Sequence, residues 1–113
     1  MDVVFEQDIF EVLEAIKDDF LEEDFLFYKR VLEQLDHKPL KIYRSDIKPF
    51  LELQYDNIIE GISMYCFLSS KILKVVLIDD KTNKLINKSD FYVKNEEEAL
   101  KIIEKTIEEL EKN

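Results

Sequence analysis

The chain has 113 residues, of which 46% are hydrophobic and 37% charged, and its formal net charge is −10. This length fits one domain and the apolar content is sufficient to bury a core, so we expect a single ordered α+β domain over residues 1–113. A single Cys, a single His and a single Gly exclude a disulfide framework, a two-histidine metal centre and a glycine-rich phosphate loop. We therefore predict a protein that is not an enzyme and needs no cofactor or metal.

No apolar segment is long enough to cross a membrane. The longest uninterrupted apolar run covers Met64–Leu68, whereas a spanning helix needs about 20 apolar residues. The sequence also lacks a basic start followed by an apolar stretch, which would mark a secretory signal. We expect a cytoplasmic protein with no membrane contact.

Two helices are predicted at the N-terminal end. Large apolar residues recur every three or four positions from Phe5 to Phe20, which is typical of a helix buried on one side. The same period resumes from Phe25 to Leu35 and ends before Pro39. We predict a break at residues 22–24 with Asp24 as the N-cap of the second helix. One long bent helix is the alternative.

After Pro39 the apolar period changes from about 3.6 to two, which indicates strands. Residues 40–44 and 51–55 alternate between apolar and polar side chains, so each is predicted to form a short strand. Asp56–Asn57 follows the second of them, and both residue types tolerate positive φ. We predict a two-residue hairpin turn there.

The following segment contains further strands. Residues 58–68 are compatible with a helix or a strand, and their β-branched and aromatic content favours a strand. A turn is predicted at 69–71, and the β-branched run 72–78 is expected to be the most buried strand. Residues 80–83 end in an asparagine suited to the left-handed position, and they should close a hairpin onto a strand over 84–93.

The last segment is predicted to be an amphipathic helix. Asn95 followed by Glu98 has the form of a capping box, and acidic residues in the first turn favour a helix through its dipole. The apolar stripe consists of Leu100, Ile103, Ile107 and Leu110. The sequence therefore predicts an α+β fold, in which an N-terminal helical pair precedes an antiparallel meander of four to five strands and a C-terminal helix packed on the sheet.

The negative charge is concentrated at one end of the sequence. Residues 1–24 contain ten acids against one lysine, whereas residues 71–94 contain six lysines against three aspartates. An acidic field repels nucleic acid and anionic membranes and attracts basic proteins. The presence of only two arginines further disfavours phosphate recognition. We predict a basic protein partner, such as a nucleic-acid-processing enzyme, and no direct contact with nucleic acid.

An acidic helix face is the strongest candidate for a binding site. Four acids recur every three or four positions (Glu11, Glu14, Asp18 and Glu22), so on a continuous helix their carboxylates would form a row whose spacing is close to that of nucleic-acid phosphates. The alternatives are a solvated face that only keeps the domain soluble, or a surface for divalent cations. The predicted partner-binding residues are Glu11, Glu14, Asp18, Asp19, Glu22 and Glu23, with Phe27 or Tyr28 as an apolar anchor.

Five other residues have chemically active side chains, but simpler roles suffice for them. Asp79, Asp80 and Asp90 are ordinary residues of hairpin turns, which we prefer to a cation site. His37 follows the second predicted helix, where an imidazolium would be stabilised by the helix dipole. Cys66 lies in an apolar strand and is expected to be a small buried hydrophobe.

Four consecutive large residues, Phe25 to Tyr28, cannot all face one core. At least one of Leu26, Phe27 and Tyr28 should therefore lie near the surface or against another chain, which makes a homodimer possible. We expect a non-catalytic inhibitor, similar in size and charge to bacterial immunity proteins and phage anti-defence proteins. The alternatives are a small acidic homodimeric secretion chaperone and a docking or regulatory subunit of a larger complex.

Overall fold

The computed structural model describes residues 8–47 and 49–112. It contains three α-helices and a short 3₁₀ turn (Lys17–Asp19) between the first two helices. The helices are α1 (Ile9–Ala15), α2 (Glu22–Gln34) and α3 (Glu96–Glu111). Five strands lie between α2 and α3: β1 (Lys41–Arg44), β2 (Leu51–Ile59), β3 (Ile62–Leu68), β4 (Ile72–Asp79) and β5 (Lys84–Tyr92).

The strands form one antiparallel sheet in the order β1-β2-β3-β4-β5. Each strand therefore pairs with its neighbour in sequence, as expected for short connections. This confirms the predicted α+β layout of a helical pair, a meander and a C-terminal helix.

The first helix is shorter than predicted. Residues 5–7 of the prediction lie outside the described residues, and α1 begins after Asp8, whose carboxylate accepts a hydrogen bond from the Phe10 backbone N–H at 2.9 Å. The helix ends at Ala15 instead of reaching Phe20. Phe20 has extended backbone angles and its ring packs edge-on against Tyr28 at 5.0 Å, so leaving the helix returns this ring to the core.

The second helix begins earlier than predicted, and Asp24 is not its N-cap. The N-cap position belongs to Leu21, whose carbonyl accepts the Phe25 backbone N–H at 2.9 Å. Asp24 instead lies in the first turn and is buried. The run 22–24 is therefore helical rather than a break, because three acidic side chains suit the positive end of the helix dipole.

The predicted hairpin turn at Asp56–Asn57 is wrong, because β2 continues through these residues. Asn57 does have positive φ (52°), but it belongs to an irregularity in the β2–β3 register between Tyr55 and Ile59. Its backbone N–H donates to the Ser63 hydroxyl at 2.9 Å. The chain turns at Gly61 instead, where φ is 83°, a value that glycine adopts without strain.

The ambiguous segment 58–68 is strand, but the most buried strand is β3 rather than β4. Four of the seven β3 residues are buried, against two of eight in β4. β3 is the middle strand of the sheet, and three of its residues, Met64, Cys66 and Leu68, belong to the core cluster, to which β4 contributes Leu73 and Val75. The turns at 69–71 and 80–83 are where they were predicted, with Asn83 at a φ of 57°.

The C-terminal helix has the predicted cap. The Asn95 side chain accepts the Glu98 backbone N–H at 3.0 Å, and the Glu98 carboxylate accepts the Lys94 backbone N–H at 2.8 Å. Its fully buried face is centred on Ala99, Ile103 and Ile107. Of the predicted stripe, Leu100 and Leu110 lie at its half-buried margins.

The core lies between the helices and one face of the sheet. Buried side chains of α1, α2 and α3 form one cluster with alternate residues of the strands, among them Leu53, Met64, Cys66 and Val75. The register places the intervening residues on the opposite face, which we call the open face. Two of its cross-strand rows are Tyr43, Glu52, Phe67, Lys74 and Asp90, and Lys41, Gln54, Tyr65, Val76 and Lys88.

Candidate partner-binding surface

The six acidic residues predicted to bind a partner are all exposed. We call them the acidic surface: Glu11 and Glu14 on α1, Asp18 and Asp19 on the 3₁₀ turn, and Glu22 and Glu23 at the start of α2. The predicted row along one continuous helix is not formed, because the chain is no longer helical at Ile16 and is extended at Phe20 and Leu21. The carboxylates are therefore distributed around a bend.

Two of these six residues form ion pairs with cations of the same chain. Glu14 lies 3.7 Å from the Lys17 Nζ and 3.9 Å from the Lys29 Nζ, and Asp19 lies 3.3 Å from an Arg44 guanidinium nitrogen. These groups are about half exposed, so each pair contributes at most about 1 kcal/mol. Within the described part of the chain, the other four carboxylates have no ion pair.

A cavity of about 280 Å³ opens beside the acidic surface. One part of its wall is apolar and the other is charged. The apolar part comes from Phe20, Leu21, Pro49 and Phe50, and the charged part from Asp18, Asp19, Asp24 and Arg44. A lysine or arginine side chain fits such a wall, because its aliphatic stem packs on apolar groups while its cation meets carboxylates.

The two aromatic residues predicted as an anchor are buried. Phe27 belongs to the core cluster, and Tyr28 is 0% exposed. The Tyr28 hydroxyl donates to the Pro49 carbonyl at 2.7 Å, and burial, with a smaller contribution from Asp24, raises its pKa above the ordinary value. Neither ring presents the surface that an anchor requires.

Two leucines are exposed in their place. Leu26 fulfils the prediction that one residue of the run 26–28 lies at the surface, since it is 39% exposed. Leu21 is 67% exposed and lines the cavity between acidic neighbours. The sequence analysis gave Leu21 no role, because the apolar stripe of the first predicted helix ended at Phe20.

His37 has a different partner from the one predicted. The carbonyls of Leu32 and Leu35 at the end of α2 accept hydrogen bonds from the Lys38 ammonium at 2.8 Å. The His37 ring instead contacts α3, with Nδ1 2.7 Å from Glu104 and Nε2 3.6 Å from Glu111. The hydrogen bond to Glu104 raises the pKa of His37 above its ordinary value of 6.5.

Two of the three aspartates, Asp79 and Asp80, have the predicted turn roles, whereas the prediction is wrong for Asp90, which lies within β5 opposite Lys74. The Asp79 carboxylate accepts the backbone N–H groups of Lys81 and Thr82 at 2.9 and 3.3 Å. Asp80 accepts the Ser63 hydroxyl at 2.6 Å. In the residues that the structure describes, no group of three or more His, Cys, Asp or Glu is arranged to hold a metal ion.

Cys66 is a buried hydrophobe, as predicted. Its side chain is 0% exposed and faces the core. Burial raises the pKa of the thiol to about 12, so the thiol stays protonated near neutral pH. A thiol in this state is a poor nucleophile.

The helical layer and the sheet differ in charge as well as in burial. Residues 8–36 contain ten acids against three bases, and residues 94–112 contain seven acids against four. The sheet segment 37–93 contains nine bases against seven acids. The acidic surface therefore belongs to a strongly acidic layer, whereas the sheet is slightly basic.

None of the described helices is both long and apolar enough to cross a membrane. Comparison with known proteins found no match: no family model, no curated protein and no solved structure is similar to this chain.

Proposed function

We propose that this chain is a non-catalytic acidic binding protein that inhibits a nucleic-acid-processing enzyme by covering its basic surface. The observation that supports this proposal is the acidic surface itself, six exposed carboxylates beside a cavity with an apolar wall. A protein of this kind would act in the cytoplasm, where such enzymes work and where a lone thiol stays reduced.

The inhibition would follow from occupation of the partner's nucleic-acid groove. Lysine and arginine side chains that normally bind phosphates would pair with the carboxylates around the bend. One such side chain would place its aliphatic stem in the cavity, against Phe20 and Phe50. Leu21, which projects among the acids, would supply the apolar contact first assigned to Phe27 or Tyr28.

The contribution of charge would appear mainly in the rate of association. Long-range attraction between a chain of net charge −10 and a basic groove accelerates encounter and is weakened by salt. Affinity for the partner should therefore fall as the salt concentration rises. The association rate constant should account for most of that fall.

The proposal is tested by affinity capture with a charge-reversed variant and a matched control. Tagged protein is incubated with a nuclease-treated lysate of the cells in which the chain naturally occurs, and the bound proteins are identified by mass spectrometry. Asp18→Lys with Glu22→Lys reverses two residues of the acidic surface. Glu33→Lys with Glu60→Lys makes the same change in net charge at exposed positions outside it.

We expect the wild type and the control to capture the same basic enzyme, and the Asp18→Lys/Glu22→Lys variant to lose it. The captured enzyme should then lose its nucleic acid when the wild-type chain is added, but not when the variant is added. Capture of one partner by all three forms would contradict the proposal. Far-UV circular dichroism of the variants verifies that each is folded.

A homodimeric secretion chaperone is a second candidate, which the open face favours. That face carries large side chains outside the core, including Tyr43 at 44% exposed, and chaperones of secreted proteins bind apolar segments on such surfaces. In the same capture experiment, this function would give a secreted protein retained by both charge-reversed variants.

A further inference from the structure

The strand at the end of the sheet, β5, has an unusually exposed surface. Eight of its nine residues are exposed, and among residues 8–47 and 49–112 its one partner strand is β4. Four large apolar residues of β5 are exposed, namely Leu85, Ile86, Phe91 and Tyr92. Tyr92 is the most exposed of them, at 87% of its surface. Long edge strands of this kind recruit further strands unless charge, bulges or covering elements prevent it.

The backbone groups that β5 leaves free follow from its pairing with β4. The Val93 backbone N–H donates to the Lys71 carbonyl at 2.9 Å, so this residue is directed towards β4. Because the direction alternates along a strand, Ser89 and Phe91 are also directed towards β4. Lys88, Asp90 and Tyr92 therefore present their N–H and C=O groups at the free edge.

We propose that β5 pairs antiparallel with β5 of a second copy of this chain, about a two-fold axis at Ser89, to form one continuous ten-stranded sheet. In this arrangement Lys88 of each chain lies opposite Asp90 of the other, and both residues have their free backbone groups at the edge. The two pairs supply four interchain hydrogen bonds. Lys88 and Asp90 also lie on the same face of the sheet, so their side chains meet across the interface.

Charge selects this register from its neighbours. Interchain backbone hydrogen bonds form only where a residue with free groups, such as Lys88 or Asp90, lies opposite another such residue. The permitted two-fold axes are therefore spaced one residue apart. An axis at Lys88 places two lysines face to face, and an axis at Asp90 places two aspartates face to face. Like charges directly opposite are destabilising, whereas the axis at Ser89 gives two attractive pairs.

The same register brings two of the four exposed apolar residues of β5 into contact. It brings Tyr92 of one chain opposite Ile86 of the other, twice in the dimer. It also extends the wall of a cavity of about 240 Å³ between β5 and α3, which Phe91 and Leu110 line. A lysine in the middle of an edge strand normally disfavours pairing with a second strand. Here Asp90 of the second chain lies opposite Lys88 and neutralises its charge.

The location of the contact suits a chain of net charge −10. Residues 71–94 have a local charge of +3, so β5 approaches its copy through the least acidic part of the molecule. The acidic surface lies at the other end of the sheet, where Asp19 pairs with Arg44 of β1. Four strand spacings, roughly 19 Å, separate β1 from β5, so the dimer leaves both acidic surfaces accessible and does not depend on the proposed inhibition.

The first test is the mass in solution. Sedimentation velocity from about 1 to about 300 µM, a range that covers weak interfaces of small area, should show a concentration-dependent change from 13.6 kDa to twice that mass. A chain that remains monomeric over this range would overturn the proposal.

The second test uses charge variants. Lys88→Asp and Asp90→Lys each replace both attractive pairs with repulsive ones, so each variant alone should dimerise at least tenfold more weakly. Mixed in equal amounts, the two variants should form a heterodimer, because every pair is attractive again. Single variants that dimerise as the wild type does would contradict the proposed interface.

The third test determines the register by cross-linking. With the axis at Ser89, the thiols of two Ser89→Cys chains face each other at a non-hydrogen-bonded pair, where Cα atoms are about 4.5 Å apart and a disulfide can form. Under mild oxidation this variant should yield a covalent dimer, while Cys66, which is fully buried, stays reduced.

Two matched variants distinguish this register from its neighbours. In each Asn87→Cys or Phe91→Cys dimer the equivalent thiols are four positions apart, roughly 14 Å, and should cross-link at least tenfold more slowly. A mixture of these two variants should cross-link rapidly, since the register pairs residue 87 with residue 91. Rapid cross-linking of Asn87→Cys with Ser89→Cys in its place would assign the axis to Lys88 and overturn the proposed register.

Discussion

The two ends of the sheet contain strands of the same meander, yet they differ in nearly every physical property. At the β1 end, α1 and α2 cover the sheet, the acidic surface lies above the edge, and Tyr28 is completely buried. At the β5 end the strand is exposed and contains lysines, and its Tyr92 is 87% exposed to solvent. Two tyrosines of one chain therefore have opposite roles.

The difference shows that strand formation and burial have separate causes. β5 pairs with β4 from Lys84 to Tyr92, with one irregularity at Ile86, so its backbone forms sheet hydrogen bonds along one edge. Its side chains, however, remove little apolar area from water, because the three helices form their cluster with the other strands. Since burial of apolar area supplies most of the stabilisation of a folded chain, the β1 end should dominate the stability of the monomer.

The largest expected effect is the contrast between the two tyrosines. Tyr28→Ala removes a fully buried ring and its hydrogen bond to Pro49, and should lower the free energy of unfolding by about 3–5 kcal/mol. Tyr92→Ala should lower it by less than about 0.5 kcal/mol in dilute protein. Urea denaturation measures both. Equal losses would show that the β5 end is covered in the monomer.

Hydrogen exchange should reveal the free edge residue by residue. In dilute protein the amides of Ser89 and Phe91, directed towards β4, should exchange at least about a hundredfold more slowly than those of Lys88 and Asp90, which face solvent. In the central strand β3 consecutive amides should all be protected, because it is paired on both sides. NMR-detected exchange provides the comparison. Uniform protection along β5 at concentrations where the chain is monomeric would contradict the described edge.

The contact between His37 and Glu104 should make stability depend on pH. Because the folded-state pKa of His37 is raised above 6.5, its contribution is complete below pH 6.5 and is lost as the pH rises through the folded-state pKa. The groups are partly exposed, so the loss should be under about 1 kcal/mol. Urea denaturation from pH 5.5 to 8.5 measures it.

The control for this pH dependence is Glu104→Gln, which should flatten the profile and lower the pKa of His37 in an NMR titration. The imidazole signal is unambiguous, because the chain has one histidine. An unchanged His37 titration in the variant would show that the contact does not persist in solution.

The smallest effect should come from the ion pairs at the two ends. Arg44→Ala breaks the pair with Asp19 at the β1 end, and Lys74→Ala breaks the pair with Asp90 at the β5 end, each 3.3 Å long. Both pairs involve exposed carboxylates, so each substitution should cost less than about 0.5 kcal/mol. Urea denaturation in low and high salt measures the two losses. A loss above 1 kcal/mol for either would show a pair more buried than described.

Several elements could be predicted from the sequence because their signals are local. The cap at Asn95 and the left-handed Asn83 depend on neighbours within four residues, so a short window contains the whole cause. The acidic residues were also predicted to be exposed, since an unpaired carboxylate is costly to bury. Their arrangement was not predictable, because it depends on Phe20 leaving the helix to reach Tyr28.

Other features depend on residues that are distant in the sequence. The pairing of His37 with Glu104 joins positions 67 residues apart, and no pattern near either residue indicates it. The hairpin turn was assigned to Asp56–Asn57 because both residues favour turns, but β2 continues to Ile59, and the Asn57 backbone N–H donates across to the Ser63 hydroxyl. In both cases a tertiary contact overrode a local preference.

The sequence by itself determined the order of the elements, the acidic character of the N-terminal segment and the burial of alternate strand residues, because periodicity, charge and caps act over a few residues. Only the tertiary structure decided where the helices lie over the sheet. That placement buried Phe27 and Tyr28, exposed Leu21, distributed the carboxylates around a bend and left β5 free. The physical reason is that packing maximises buried area over the whole chain, so the same apolar residue type becomes core at one end of the sheet and surface at the other.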